Sequence, residues 1–184
     1  MSKLKRLTNG EVHTRDITIS TYKVEEDSII VEGRLIDKRK EDFYLLSGDV
    51  SKSGIIHDLI IRLLIEGPQL LIKDLEVEMQ EVPREECNET KKCLDIFKGM
   101  NIAAGFTLKI KSLIGGKKGC AHLESLLIAM APAAFQGYWA SVHMEKSNVE
   151  SLKKNAKKSN GAINTCWVWR DDGPLAAKYK KMIN

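Results

Sequence analysis

The chain reads as an α+β fold, with a mainly antiparallel sheet in the N-terminal part and helices in the C-terminal half. Two observations predict it. The first half reads as strands, with apolar side chains at the period of two, whereas the second half changes period to mostly helical spacing, so the sheet is expected within residues 12 to 115. Strands also come first and helices later, which favours segregated layers over alternating βαβ units.

The elements follow in order. His13 to Val24 (HTRDITISTYKV) puts His13, Arg15, Ile17 and Ile19 on one strand face. Glu25-Glu26-Asp27 makes a polar turn, and Ser28 to Arg39 returns as the second strand of a hairpin. The stretch through Ser47-Gly48 and Ser53-Gly54 is rich in turn residues. Residues 57 to 82 form a second hairpin around Glu66-Gly67-Pro68-Gln69, and Pro83 stops its outgoing strand. His57 shares parity with Leu59, Ile61, Leu63 and Ile65, so it points at the core as a satisfied histidine. Glu85 to Gly99 is expected as a helix closed by Gly99. Phe106, Leu108 and Ile110 alternate with Thr107, Lys109 and Lys111, an amphipathic strand. The turn Gly115 to Gly119 leads into a helix carrying Leu123, Leu126, Leu127 and Met130. A further helix is expected over 148–158, a last strand over 163–170, and a short helix from Pro174.

A length of 184 residues suits one domain over 1–145 with a basic helical extension over 146–184 packed on it. Such a chain buries roughly two thirds of its unfolded surface and needs no disulfides for a core. Hydrophobic residues at 43% and charged residues at 29% exclude disorder and fibrous repeats. No apolar run follows the basic start, so the chain is expected to be cytoplasmic and its four cysteines to be thiols. Residues 125–142 carry no formal charge but contain Ser, Pro, Gln, Gly and Tyr. They are read as a buried helix, or two short helices broken near Pro132, not as a membrane span. The net charge of +4 is uneven: residues 146–184 hold nine Lys/Arg against three Asp/Glu. Lys153, Lys154, Lys157 and Lys158 are read as a solvated helix face, without sequence-specific nucleic-acid binding.

Chemistry concentrates at Cys120 and His122, the candidate catalytic pair. Cys120 opens a helix, where free N–H groups and the helix dipole favour a thiolate, and Lys117 and Lys118 add positive charge. His122 supplies a proton acceptor or a second ligand. Gly116 and Gly119 are the candidate cofactor-contacting positions of the turn, although GGKKGC lacks the order of a phosphate loop. The plain structural reading makes Cys120 a small apolar filler. Asp37 and Asp74 are read as turn caps or as partners of Arg15 or Arg34. Trp167 and Trp169 are read as packing residues, and His143 as a comfortable helix-end cation.

The run from Gly105 to Gln136, GFTLKIKSLIGGKKGCAHLESLLIAMAPAAFQ, resembles the signature of a bacterial family of domains of unknown function, number 2889. The resemblance rests on Gly105-Phe106, Gly115-Gly116, Gly119-Cys120, His122-Leu123 and Gln136. It extends to His13 with Arg15, Gly33 to Asp37, His57, Asp74, Pro83 with Cys87, and Cys166 before Asp172-Gly173. It implies that Cys87, Cys120 and Cys166 belong together, with Cys93 left to helix packing. A strand running into Gly-Cys and a small-residue helix is also similar to iron–sulfur scaffold and sulfur-acceptor proteins. That similarity implies a metal set of Cys87, Cys120, His122 and Cys166, holding zinc or an iron–sulfur cluster. Two functional classes therefore stay open: a thiol or metal site serving sulfur transfer or metal handling, and an interaction module that docks a protein partner.

Overall fold

A computed structural model of the chain describes residues 2–25, 27–143, 149–150, 153–154, 157 and 163–183. Four long strands form one antiparallel sheet. β1 (His13–Glu25) pairs with β2 (Ser28–Arg39), β2 with β5 (Gly54–Glu66), and β5 with β6 (Leu71–Glu81), giving the order β1-β2-β5-β6. The connection from β2 to β5 carries a small separate hairpin of β3 (Phe43–Tyr44) and β4 (Val50–Ser51). The expected α+β architecture is the observed one, with helices following the sheet.

Parity explains which face is covered. Ile29, Val31 and Leu35 of β2 and Leu59, Ile61, Leu63 and Ile65 of β5 are at most 1% exposed. Their even-numbered neighbours carry charge pairs such as Arg34–Asp58 at 2.6 Å and Arg62–Glu32 at 2.6 Å. One face therefore meets helices and the other meets water. The covering helix is α2 (Ala121–His143), which lies across β1, β2 and β5 with Leu123, Leu126, Leu127, Met130, Ala134 and Tyr138 buried. The Tyr138 hydroxyl donates to Asp27 at 3.0 Å, tying the helix to the β1–β2 connection. Pro132 lies inside this helix, which continues through it as one element. Among the described residues no helix is long and apolar enough to cross a membrane.

Three elements differ from the sequence expectation. The sheet ends at Glu81, and residues 106–114 form a helix, α1 (Phe106–Ile114). Phe106, Ile110 and Ile114 are its buried residues, spaced by four, while Leu108 is 71% exposed. A short alternating run satisfies both periods, and tertiary burial selects the helical one. Gly105 supplies the left-handed backbone (φ 83°) that starts the helix. The expected helix after Pro83 is a 3-10 helix, Glu85–Phe97, which turns Leu94 and Phe97 into the core. The expected last strand is absent; Trp167–Trp169 is a single 3-10 turn, followed by α3 (Pro174–Ile183). Trp169 packs edge-on against Tyr179 at 5.5 Å, whereas Trp167 is 78% exposed. Most of residues 148–158 and the His143 side chain lie outside the described residues; Lys153, Lys154 and Lys157 are exposed.

The helix rides close to the sheet at two glycines. A Cβ on Gly33 would lie 2.6 Å from the Met130 sulfur, and one on Gly137 would lie 2.1 Å from the Thr21 hydroxyl and 2.7 Å from its Cβ. Thr21 is short and β-branched and has no slack. Ala at a helix interior is ordinarily worth about 1 kcal/mol over Gly. Gly137→Ala is nevertheless expected to destabilise the fold by about 1–3 kcal/mol, because overpacking outweighs that gain. Urea unfolding of the purified variant measures it.

Candidate functional site

The inner face of the sheet changes character at one end. Arg15 on β1 stands directly opposite Asp37 on β2, and Asp37 stands opposite His57 on β5. A hairpin register thus lines up a cation, a carboxylate and an imidazole in one row across three strands. The pairing of β2 with β5 shifts by one residue next to this row, between Asp37 and Lys38. Such bulges re-aim side chains next to sites. The first turn of α2 closes the row from above: the Cys120 carbonyl accepts the Glu124 N–H at 2.9 Å, and His122 follows in the opening turn.

Asp37 is the hub. It is 2% exposed, and Arg15 donates to both its oxygens at 2.7 Å, Nε to Oδ1 and Nη2 to Oδ2. His57 Nδ1 lies 3.1 Å and His122 Nε2 3.4 Å from Oδ2, while His13 Nε2 lies 3.5 Å from Oδ1. Burial works against the charge of Asp37, but the Arg15 guanidinium overrides it, and the carboxyl is held below its usual range. Burial lowers both His57 and His122; Arg15 adds to it at both rings, His13 at His57 and His57 at His122, and neither gains enough from Asp37 to recover. The two rings stack at 3.7 Å between centroids, tilted by 30°. Two neutral imidazoles tolerate that contact, whereas two imidazolium ions would repel.

On the other side of the His122 ring, Nδ1 lies 3.7 Å from Cys120 Sγ. The structure thus brings Cys120 and His122 together, with Cys120 just before the first helical residue of α2. A continuous chain runs Cys120 Sγ, His122 Nδ1, His122 Nε2, Asp37 Oδ2, Arg15. With Nε2–H donated to Asp37, the lone pair of Nδ1 faces the thiol. A sulfur, an imidazole and a carboxylate in this order are the groups from which nucleophile–base–carboxylate sites are built.

The other predicted positions are placed as follows. Cys87 is partly buried on the 3-10 segment and Cys166 is exposed next to the Trp167 turn. Among the described residues, the group of three ligand residues with donor atoms within 4.8 Å of one another is Asp37, His57 and His122, and no cysteine joins it. Gly116 has φ 61° with open space where a side chain would stand, whereas Gly119 is packed against the Ile114 carbonyl and the Cys93 sulfur. Cys93 is a packing residue: it lies against the core, and burial pushes its thiol up even though the Cys120 N–H donates to it. Asp74 pairs with Lys98 at 2.9 Å and accepts the Leu75 N–H, and Arg34 takes Asp58 in its place. Asp37 and His57 are the residues whose participation sequence reasoning missed, since each had a sufficient structural explanation alone. Their shared end of the inner face, with Arg15 and His13, was the available signal.

The linkage between this cluster and folding has a definite sign. Both histidines are held below their ordinary value of 6.5, so the unfolded chain takes up protons first as pH falls. Stability is therefore full above about pH 6.5 and is lost below it, by up to about 1.4 kcal/mol per pH unit for each ring, until the folded values are passed. Asp37 adds a second loss at lower pH, present above its ordinary 3.8 and lost as pH falls through its lowered folded value. Urea unfolding between pH 7.5 and 5 is expected to show the first loss, and a His57→Gln/His122→Gln double variant is expected to flatten it.

Comparison with known proteins adds the family and no activity. No curated protein and no solved structure matches the chain. A family model described as a protein of unknown function (DUF2889) matches residues 13–136, which include every member of the cluster from His13 to His122. That match spans well over half of the chain, which therefore belongs to the DUF2889 family of proteins of unknown function.

Proposed function

We propose that the chain is a cytoplasmic thiol enzyme of sulfur transfer, with Cys120 as nucleophile, His122 as base and Asp37 as the carboxylate that orients His122. The observation that carries this reading is the pair of contacts on opposite nitrogens of one ring, 3.7 Å to the Cys120 sulfur and 3.4 Å to Asp37. A neutral His122 accepts the thiol proton at Nδ1, and the ionised Asp37 stabilises the imidazolium that forms. The thiolate attacks the outer sulfur of a persulfide donor. A new S–S bond forms at Cys120, the donor's S–S bond breaks, and the departing thiolate takes the proton from His122. The exchange needs no external oxidant or reductant.

His57 holds the His122 ring by stacking, and Arg15 keeps Asp37 ionised and fixed. Four free cysteines are in keeping with a reducing compartment. The β3–β4 hairpin supports a second, compatible reading as a docking element: Phe43, Tyr44, Leu45, Leu46 and Val50 are all exposed. A protein donor of sulfur is the partner such a surface fits. The exposed lysines of the basic extension are left a solvating role.

Two measurements test the thiol reading. Cys120 is expected to alkylate faster than Cys93 near neutral pH, by mass mapping of partially labelled protein. His122→Ala is expected to slow persulfide uptake at Cys120 by about a hundredfold or more, the worth of a positioned base. Equal labelling of Cys93 and Cys120, with uptake unchanged in His122→Ala, defeats the proposal.

A further inference from the structure

The cluster around Asp37 holds a second arrangement that the thiol chemistry does not use. His57 Nδ1 and His122 Nε2 both point at one oxygen, Asp37 Oδ2, at 3.1 and 3.4 Å, and the three donor atoms all lie within 4.8 Å of one another. A transition metal binds imidazole nitrogen and carboxylate oxygen at about 2.0–2.2 Å, which separates neighbouring ligand atoms by about 3.0–3.4 Å. The two nitrogen–oxygen separations match that spacing, and the two nitrogens lie within 4.8 Å of each other. We infer that Asp37, His57 and His122 form a binding site for a divalent first-row transition cation of the zinc type.

Four features support it. The donors come from three different elements, β2, β5 and the first turn of α2, so the geometry is set by the fold and not by one mobile loop. Asp37 is locked by Arg15, and the rings of His57 and His122 are held by their stacking. Two imidazoles and one carboxylate suit zinc or iron(II), while calcium and magnesium prefer oxygen alone. Three protein ligands also leave a coordination position for water, the pattern of reactive and not of structural zinc sites. A bound cation would replace the two protons that otherwise lie between the ring nitrogens and Asp37 Oδ2.

Cys120 is not a ligand here. Its sulfur stands off Nδ1, on the side of the His122 ring away from Asp37, where it is an outer partner that fixes the ring. The cation takes His122 Nε2 and Asp37 Oδ2, the same atoms that orient the base, so the occupied site and the active base exclude each other. The inference does not rest on Cys120 being reactive.

The test is a titration of metal-stripped full-length protein with Zn2+ by calorimetry and with Co2+ by absorption. One equivalent of Zn2+ is expected, with Co2+ showing visible ligand-field bands and no thiolate charge-transfer band. His57→Gln is expected to weaken binding by more than about a hundredfold, since even outer-shell changes cost about ten- to a hundredfold. Cys120→Ala is expected to keep the one-to-one stoichiometry. Should His57→Gln fail to fold by circular dichroism, His122→Gln carries the same expectation. No binding to the folded protein, binding that survives the histidine variants, or a thiolate charge-transfer band overturns the inference. A Cys120 that proves inert while Zn2+ binds as expected overturns the thiol reading alone.

Discussion

One buried carboxylate organises this molecule. Asp37 is nearly inaccessible, and an unpaired ion in that position costs several kcal/mol. Arg15 meets it with two parallel hydrogen bonds from the neighbouring strand. The requirement reaches beyond the pair. Slipping β2 by one residue would turn Asp37 outward, bring Ile36 or Lys38 inward and expose Leu35. The ion pair and the apolar face therefore select the same register, and the site is a consequence of the pairing that builds the core. His57 is delivered by the next link of the same ladder, Asp37 opposite His57.

The fourth member arrives by helix packing. His122, Leu126 and Met130 are spaced by four on α2, and the last two sit over Gly33, two pairs of residues along β2 from Asp37. The absent side chain at Gly33 lets the helix approach, and Gly137 against Thr21 does the same farther along. A helix lifted by a methyl group at either point would move the opening turn, where His122 reaches Asp37 across 3.4 Å. Hydrogen bonds and metal bonds both fail within about 1 Å of such displacement. The two glycines thus set the distance between His122 and Asp37, although neither touches that pair.

Much of this was legible from the residues, and the missing part has a physical reason. The two hairpins, the covered face and the opening of α2 at Cys120 follow from parity, turn residues and apolar spacing. Residues 106–114 did not, because nine residues alternating over their first turn fit a strand as well as a helix until burial chooses. At the site, Cys120 and His122 were visible because they are close in sequence. Arg15 opposite Asp37 was within reach, since the β1–β2 hairpin sets its own register from its turn. His57 opposite Asp37 was not, because the long connection carrying β3 and β4 leaves the β2–β5 register free in sequence terms. The family resemblance pointed instead to Cys87 and Cys166, and a shared pattern along a chain does not say which donors converge.

The convergence itself explains why a thiol and a cation are both credible at one place. A base for Cys120 must be neutral, buried enough to stay so, and held by a fixed negative charge. A ligand for a transition metal must be neutral, buried, and accompanied by a fixed carboxylate. His122 meets both descriptions with one ring, Nδ1 facing the thiol and Nε2 facing Asp37, so the two readings differ in what occupies the space between Nε2 and Asp37 Oδ2. Arg15 biases that choice. Its charge beside Asp37 opposes a second cation, weakening metal binding relative to a site with a free carboxylate, while it favours an ionised Asp37 under His122. Under the two proposals, the thiol state is the resting one, and a cation binds only where its coordination energy exceeds the repulsion from Arg15. Removing the guanidinium would shift that balance toward the metal, at the cost of the pairing that holds Asp37 in place.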